Sequence, residues 1–160
     1  SGDIFHKGKN ILTLKPEAYR QQVSYCFQTP ILFGDTVKDN LQFPYKIRGD
    51  KVDLEKIKRG LLQFDLPLHS LDKKIDDLSG GEKQRVALLR NIQYLPKILL
   101  LDEITSALDD KNKQIVHQVI DDLITHAGIA VLWVTHNSDE ISQSHNLLRM
   151  TKYEAPEAKQ

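Results

Sequence analysis

Cysteine is almost missing from this sequence. Cys26 stands alone in 160 residues, which excludes a disulfide framework and a cysteine-based metal site. Net charge is missing as well. Twenty-two Lys and Arg balance 22 Asp and Glu, so there is neither the basic footprint of a nucleic-acid binder nor an acidic tail, and no nucleic-acid partner is expected. No apolar run approaches the roughly 20 residues of a membrane-spanning helix, and no signal-peptide pattern is visible. A role at a membrane would require another chain to cross it, and a reducing cytosol is the expected compartment. What is present is a hydrophobic fraction of 40%, in the range of a globular protein and sufficient for one domain with a core.

Read in order, Ser1–His6 is expected as a short strand turned by Lys7-Gly8-Lys9, and Leu14–Gln22 as a short helix with Pro16 in its first turn. Val23–Cys26 reads as a strand, followed by Phe27-Gln28-Thr29-Pro30 and the unusually apolar loop Ile31-Leu32-Phe33. Asp35 or Thr36 caps a helix through Leu41. Val52–Phe64 places Leu54, Ile57 and Leu61 on one side of a further helix, which Pro67 ends.

Ile98–Leu101 and Ala130–Val134 are continuous apolar runs closed by Asp102-Glu103 and Thr135-His136. Such runs read as strands buried on both faces of a parallel sheet. Between them Ile115, Val116, Val119, Ile120 and Leu123 form the apolar stripe of a helix over Asp110–His126, stopped at Gly128. This is a β-α-β unit. A helix over Asn137–Gln143, a last short strand over Asn146–Met150 and a loose polar tail over 151–160 complete the expectation.

One stretch organises the rest: Leu78-Ser79-Gly80-Gly81-Glu82-Lys83-Gln84, running into Arg85–Arg90. Ser79 with Glu82 three residues on has the form of a capping box. Val86, Leu88, Leu89, Ile92 and Leu95 fall at helical spacings. Gly80 and Gly81 leave the N–H groups of that helix start unscreened, and with the dipole they make a place for phosphate. An ordinary capped helix after a Gly-Gly turn fits these residues as well.

Ligands of open α/β sheets bind beyond the carboxyl ends of the strands. Asp102, Glu103 and His136 fall at such ends. Asp102 suits magnesium, which prefers oxygen ligands and keeps several waters. Glu103 can accept a proton from an attacking water. His136 can hydrogen-bond a transferring phosphoryl group or orient that water. A solvated strand end and a hydrogen-bonded loop histidine are the plain alternatives.

The heptapeptide Leu78–Gln84 resembles the signature motif of ATP-binding-cassette (ABC) ATPases, and the resemblance extends along nearly the whole chain. Ile98–Glu103 is similar to the Walker B strand, which makes Glu103 the catalytic carboxylate and Asp102 a magnesium residue. Ser106-Ala107-Leu108-Asp109 is similar to the D-loop, which puts Asp109 at a dimer interface. Gln28 falls at the Q-loop glutamine, a catalytic and magnesium position, and His136 at the switch histidine. The phrases Tyr19–Cys26 and Asp102–Asp109 resemble a bacterial subgroup of transporter ATP-binding subunits associated with iron export. Ile104 replaces the proline usual in its loop.

The resemblance implies an α/β fold: a partial P-loop NTPase (RecA-like) core with a parallel sheet and an inserted helical subdomain. The subdomain is expected over about 42–95, with the core sheet in 1–41 and 96–150. It implies ATP and Mg2+, a head-to-tail homodimer in which Ser79, Gly80 and Gly81 reach nucleotide in the other subunit, a transmembrane permease partner, and a cytoplasmic position on the inner face of the cell membrane. Ile31-Leu32-Phe33 then offers a surface for the permease, or simply packs locally. No Gly-x-x-x-x-Gly-Lys-Ser/Thr phosphate loop occurs in the 160 residues. Residues 1–160 are therefore expected to be the C-terminal two-thirds of one cassette, inactive alone. An ABC ATPase of DNA repair or chromosome maintenance and a non-catalytic interaction module are the other readings.

Overall fold

The computed structural model describes residues 2–144 and 146–150; the expected tail over 151–160 lies outside them. The chain opens with a small antiparallel hairpin, β1 (Phe5–His6) and β2 (Lys9–Asn10), turned through Lys7 and Gly8 at positive φ. A single 3-10 turn, Ile11–Thr13, leads to α1 (Pro16–Arg20), shorter than the helix expected. Next come β3 (Val23–Cys26), α2 (Val37–Lys46) and α3 (Leu54–Gln63). Two more 3-10 turns, Leu68–Asp72 and Ile75–Asp77, precede α4 (Gly80–Ile92). The chain then runs through β4 (Ile98–Asp102), α5 (Asp110–Ala127), β5 (Ala130–Val134) and α6 (Ser138–Gln143).

β3, β4 and β5 form a parallel sheet in the order β3-β4-β5, with Val23 beside Ile98 and Ile98 beside Ala130. Side chains alternate across a strand, so this register puts Cys26, Leu99, Leu101, Val131 and Trp133 on one face. Cys26, Leu99 and Leu101 there join one core with Val86, Leu88 and Leu89 of α4 and Val116, Val119 and Ile120 of α5. The other face differs from the expectation of strands buried on both sides. Tyr25 is 42% exposed, Leu132 58% and Val134 51%. α4 and α5 pack on the side of Cys26, Leu99 and Leu101, while the other face stays largely open among the described residues. An apolar run reports what a strand can bury, not how many layers are present to bury it.

Two further expectations are corrected. The helix capped by Thr36 does not end at Leu41 but continues to Lys46 through Pro44. An interior proline costs about 3 kcal/mol. Beyond Leu41 the continuation buries Tyr45, which sets its ring edge-on to Tyr94 and donates its hydroxyl to Gln93 at 2.9 Å, so tertiary packing prevails over the local breaker. The strand expected over Asn146–Met150 does not form: among the described residues these pair with no neighbour, and Leu148 and Met150 are 79% and 91% exposed.

The caps follow the local sequence. Thr36 with Asp39 and Ser79 with Glu82 both complete capping boxes, and Gly128 closes α5 in the left-handed region at φ 63°. Leu95 does not join the stripe of α4. It lies beyond the helix end, next to Pro96, and is half exposed.

Candidate functional site

The carboxyl ends of β3, β4 and β5 converge, and with them most of the residues expected to carry chemistry. Glu103 is the hub. Its Oε2 accepts a hydrogen bond from Gln28 Nε2 at 2.6 Å, and its Oε1 lies 3.0 Å from His136 Nε2. Gln28 follows β3, Glu103 follows β4 and His136 follows β5, so parallel strand order alone places the three together. The backbone N–H of Glu103 donates to Val134 O at 2.9 Å, tying it to the neighbouring strand. Glu103 has φ 46°, a left-handed conformation that costs a non-glycine residue about 1–3 kcal/mol and concentrates at functional sites. Ile104, in place of the expected proline, is buried and anchors the loop just after it.

Asp102 is half buried, and its Oδ2 accepts from the Tyr25 hydroxyl at 2.5 Å. That bond, burial and the carboxylate charge all push the Tyr25 hydroxyl up, which keeps it a donor. Sequence reasoning missed Tyr25, although its register opposite Leu100 on the open sheet face follows from the strand pairing. Among the described residues no group of three or more His, Cys, Asp or Glu is set to hold a metal. Magnesium asks for less: one or two carboxylates, with phosphate and water supplying the rest. Asp102 is such a carboxylate, and the amide oxygen of Gln28, which has no hydrogen-bond partner among the described residues, is a second oxygen donor of the right kind.

The turn Ser79-Gly80-Gly81 forms a second group. Ser79 Oγ accepts from Glu82 N at 3.2 Å and Ser79 N donates to Glu82 Oε2 at 2.8 Å. Lys73 Nζ sits 3.0 Å from the same carboxylate. Burial pushes the Glu82 carboxyl up, but these hydrogen bonds outweigh it and hold it below the usual range. The N–H groups of Gly80 and Gly81 begin the helix and have no intrahelical partner. A Cβ on Gly81 would stand 3.1 Å from Leu108 Cδ2, so the turn rests against the loop before α5. Asp109 caps α5, its Oδ1 accepting from Asn112 N at 2.8 Å. Among the described residues no hydrogen bond joins this group to Asp102, Glu103 or His136.

The helix between the two groups also grips the segment that carries Gln28. From α4, Gln84 Nε2 donates to Phe27 O at 3.2 Å, Asn91 Nδ2 to Tyr25 O at 3.1 Å and Arg90 to Ile31 O at 2.8 Å. Arg90 also lies over the Phe33 ring, 4.5 Å from its centre. Phe33 and Ile31 remain 43% and 51% exposed, so the apolar loop keeps a free surface. Cys26 is buried, and burial pushes its thiol up to about 11, against a smaller opposing hydrogen bond from Asn91.

Residues 1–106 match the family model described as ABC transporter. The chain is 53% identical over 150 residues to the probable iron export ATP-binding protein FetA of Escherichia coli strain K12, covering 94% of this chain and 67% of that protein. It is 36% identical over 140 residues to ABC transporter I family member 17 of Arabidopsis thaliana, covering 88% and 53%. Among solved structures, the dimeric post-hydrolysis state of the ATP-binding cassette MJ0796 bound to ADP and Pi superposes with a TM-score of 0.74 at 27% identity, over 87% of this chain and 64% of that one. A bacterial Atm1-family ABC exporter with ATP bound gives 0.77 at 25% identity, over 90% and 26%. The chain thus spans about two thirds of one of these curated relatives and about half of the other.

Proposed function

The chain belongs to the ABC transporter family, and from that premise we propose that the full-length protein is an ATP-hydrolysing subunit of a bacterial transporter, coupling ATP turnover in a head-to-tail homodimer to transport through a transmembrane permease. The observation that carries the reading is the Glu103 carboxylate, held between Gln28 and His136 at the ends of three parallel strands. A carboxylate fixed there accepts the proton of an attacking water, with Gln28 and His136 orienting the pair.

Asp102 and Gln28 are the residues that would hold Mg2+, whose charge favours the bound phosphates. Ser79, Gly80 and Gly81 serve nucleotide of the partner subunit. Among the described residues no hydrogen bond joins them to the Glu103 cluster, which is compatible with a site divided between two chains, and the dimeric ADP-bound neighbour supports that division. Asp109, at the mouth of α5, lies at the dimer interface in this reading. The inserted subdomain lies within the helical block between β3 and β4, at about 42–95, with 1–41 and 96–150 as the core; α2, Val37–Lys46, crosses the first of these boundaries, so the block as folded opens at Val37. The exposed Ile31 and Phe33 face the permease. Among the described residues no helix is long and apolar enough to cross a membrane, which fits a subunit peripheral to the inner face of the cell membrane. The cargo is iron or another metal, moved outward, as the likeness to the Escherichia coli protein supports.

The test is reconstitution of the full-length protein with its permease in vesicles. ATP-dependent iron movement that stops in the Glu103→Gln variant supports the whole reading. Hydrolysis without movement of any metal would refute the cargo, and absence of hydrolysis would refute the enzyme.

A further inference from the structure

Glu140 has no part in the roles above, yet it is one of the most deeply placed charges among the described residues, 8% exposed. Its Oε1 accepts from Thr105 Oγ1 at 2.5 Å and lies 3.0 Å from His117 Nε2 of α5. Its Oε2 accepts from Thr135 Oγ1. Burial pushes this carboxyl up, but the bonds from Thr105, Thr135 and His117 outweigh burial and hold it below the usual carboxylate range. Thr135 Oγ1 in turn accepts from Asn137 N at 3.0 Å, and Asn137 Oδ1 caps α6 by accepting from Asp139 N and Glu140 N.

Thr105 lies two residues after Glu103, and Thr135 lies immediately before His136. One buried carboxylate therefore bridges the loop after β4 to the loop after β5. The His136 side chain is 88% exposed, and Glu103 is its one hydrogen-bonding or ionic partner among the described residues. Its place depends on the backbone at Thr135. On the other side, Glu103 sits in a left-handed conformation, which persists only where the surroundings over-determine it. The buried Ile104 and Thr105 supply that constraint.

We propose that Glu140 is a positioning residue: by clamping Thr105 to Thr135 it holds His136 and Glu103 in the spacing the reaction uses. This rests on the catalytic reading of Glu103 and His136 given above. A carboxylate that only closed a buried polar network would affect stability but not the relative placement of those two groups.

The experiment is steady-state ATP turnover by the full-length protein. Glu140→Gln keeps the size of the side chain but cannot accept from both loops and His117 at once. It should lower kcat about 10- to 100-fold, the scale of a small misplacement of reacting groups, with KM for ATP little changed. Thr135→Val should do the same, and Thr135→Ser, which keeps the hydroxyl, should restore turnover. In a His136→Ala background Glu140→Gln should cost less than in the parent, because the contact between Glu103 and His136 is already gone. An undiminished kcat in Glu140→Gln overturns the proposal, as does an equal loss with and without His136. If Glu140→Gln does not fold, the Thr135 pair decides, and equal turnover of Val and Ser variants overturns it. Should His136→Ala and Glu103→Gln themselves turn over normally, the catalytic reading fails instead, which is a separate result.

Discussion

Replacing Glu103 with glutamine separates chemistry from folding in this site. The two side chains match in shape, and both pay the same cost for the left-handed backbone at position 103. The carboxylate accepts from Gln28 on one oxygen and meets His136 on the other. The amide oxygen of glutamine can keep one of these contacts, while its NH2 opposes or reorients the second partner. Gln28 is exposed and His136 nearly fully so, so water replaces what is lost and each bond is worth at most about 1 kcal/mol. For a chain of 160 residues, that is an unfolding temperature lowered by no more than about 4 °C.

The kinetic effect is larger. General base catalysis contributes about 100- to 10,000-fold, equivalent to about 2.7–5.4 kcal/mol of barrier. Loss of a base therefore exceeds any effect on stability several-fold, and the two are distinguishable in one protein sample. Phosphate release by the full-length Glu103→Gln protein should fall by that factor, while fluorescent-nucleotide titration should show ATP affinity intact. A folded, ATP-binding variant whose turnover stays within about threefold of the parent would refute the assignment of Glu103 as the base.

Ser79→Arg removes a cap worth about 1 kcal/mol and puts bulk and positive charge into the turn before Gly80 and Gly81; light scattering in a Glu103→Gln background should show nucleotide binding by the monomer retained and ATP-driven dimers lost, and normal dimers would count against a shared site. The open sheet face, with Tyr25, Leu132 and Val134 half exposed, should make these 160 residues self-associate when purified as such, with Leu132→Lys reducing the association; sedimentation at several concentrations tests this, and a monomer throughout would show that the face tolerates water.

Elements whose causes are local could be read in the chain. β3 and β5 keep their expected bounds because an apolar run between polar punctuation is a local signal. The α4 start follows from Ser79 and Glu82, which act on each other across one turn. Gln28, Glu103 and His136 could be grouped for a different reason. Parallel strands deliver their carboxyl ends to one edge, so the rule needs the strand order and no side-chain detail. What escaped were choices decided at a distance. α2 continues through Pro44 because Tyr45 finds Gln93 at 2.9 Å, 48 residues away. The open side of the sheet depends on which layers are present, and no strand sequence records that.

Glu140 escaped most completely. In the polar run from Asn137 to Gln143 it looks like any solvated helix acid. Its partners lie 35, 23 and 5 residues away, and only the fold reveals that they converge on one buried carboxylate. The groups proposed to react in this site are thus placed at two levels. Strand order brings Glu103 and His136 to the same edge, within reach of each other. That level tolerates wide changes in loop sequence, provided the sheet forms. The separation of 3.0 Å between them is a finer matter, because both sit on loops and one is largely exposed. A strand order cannot set a distance to within a fraction of an ångström; a buried, hydrogen-bonded bridge between the two loops can.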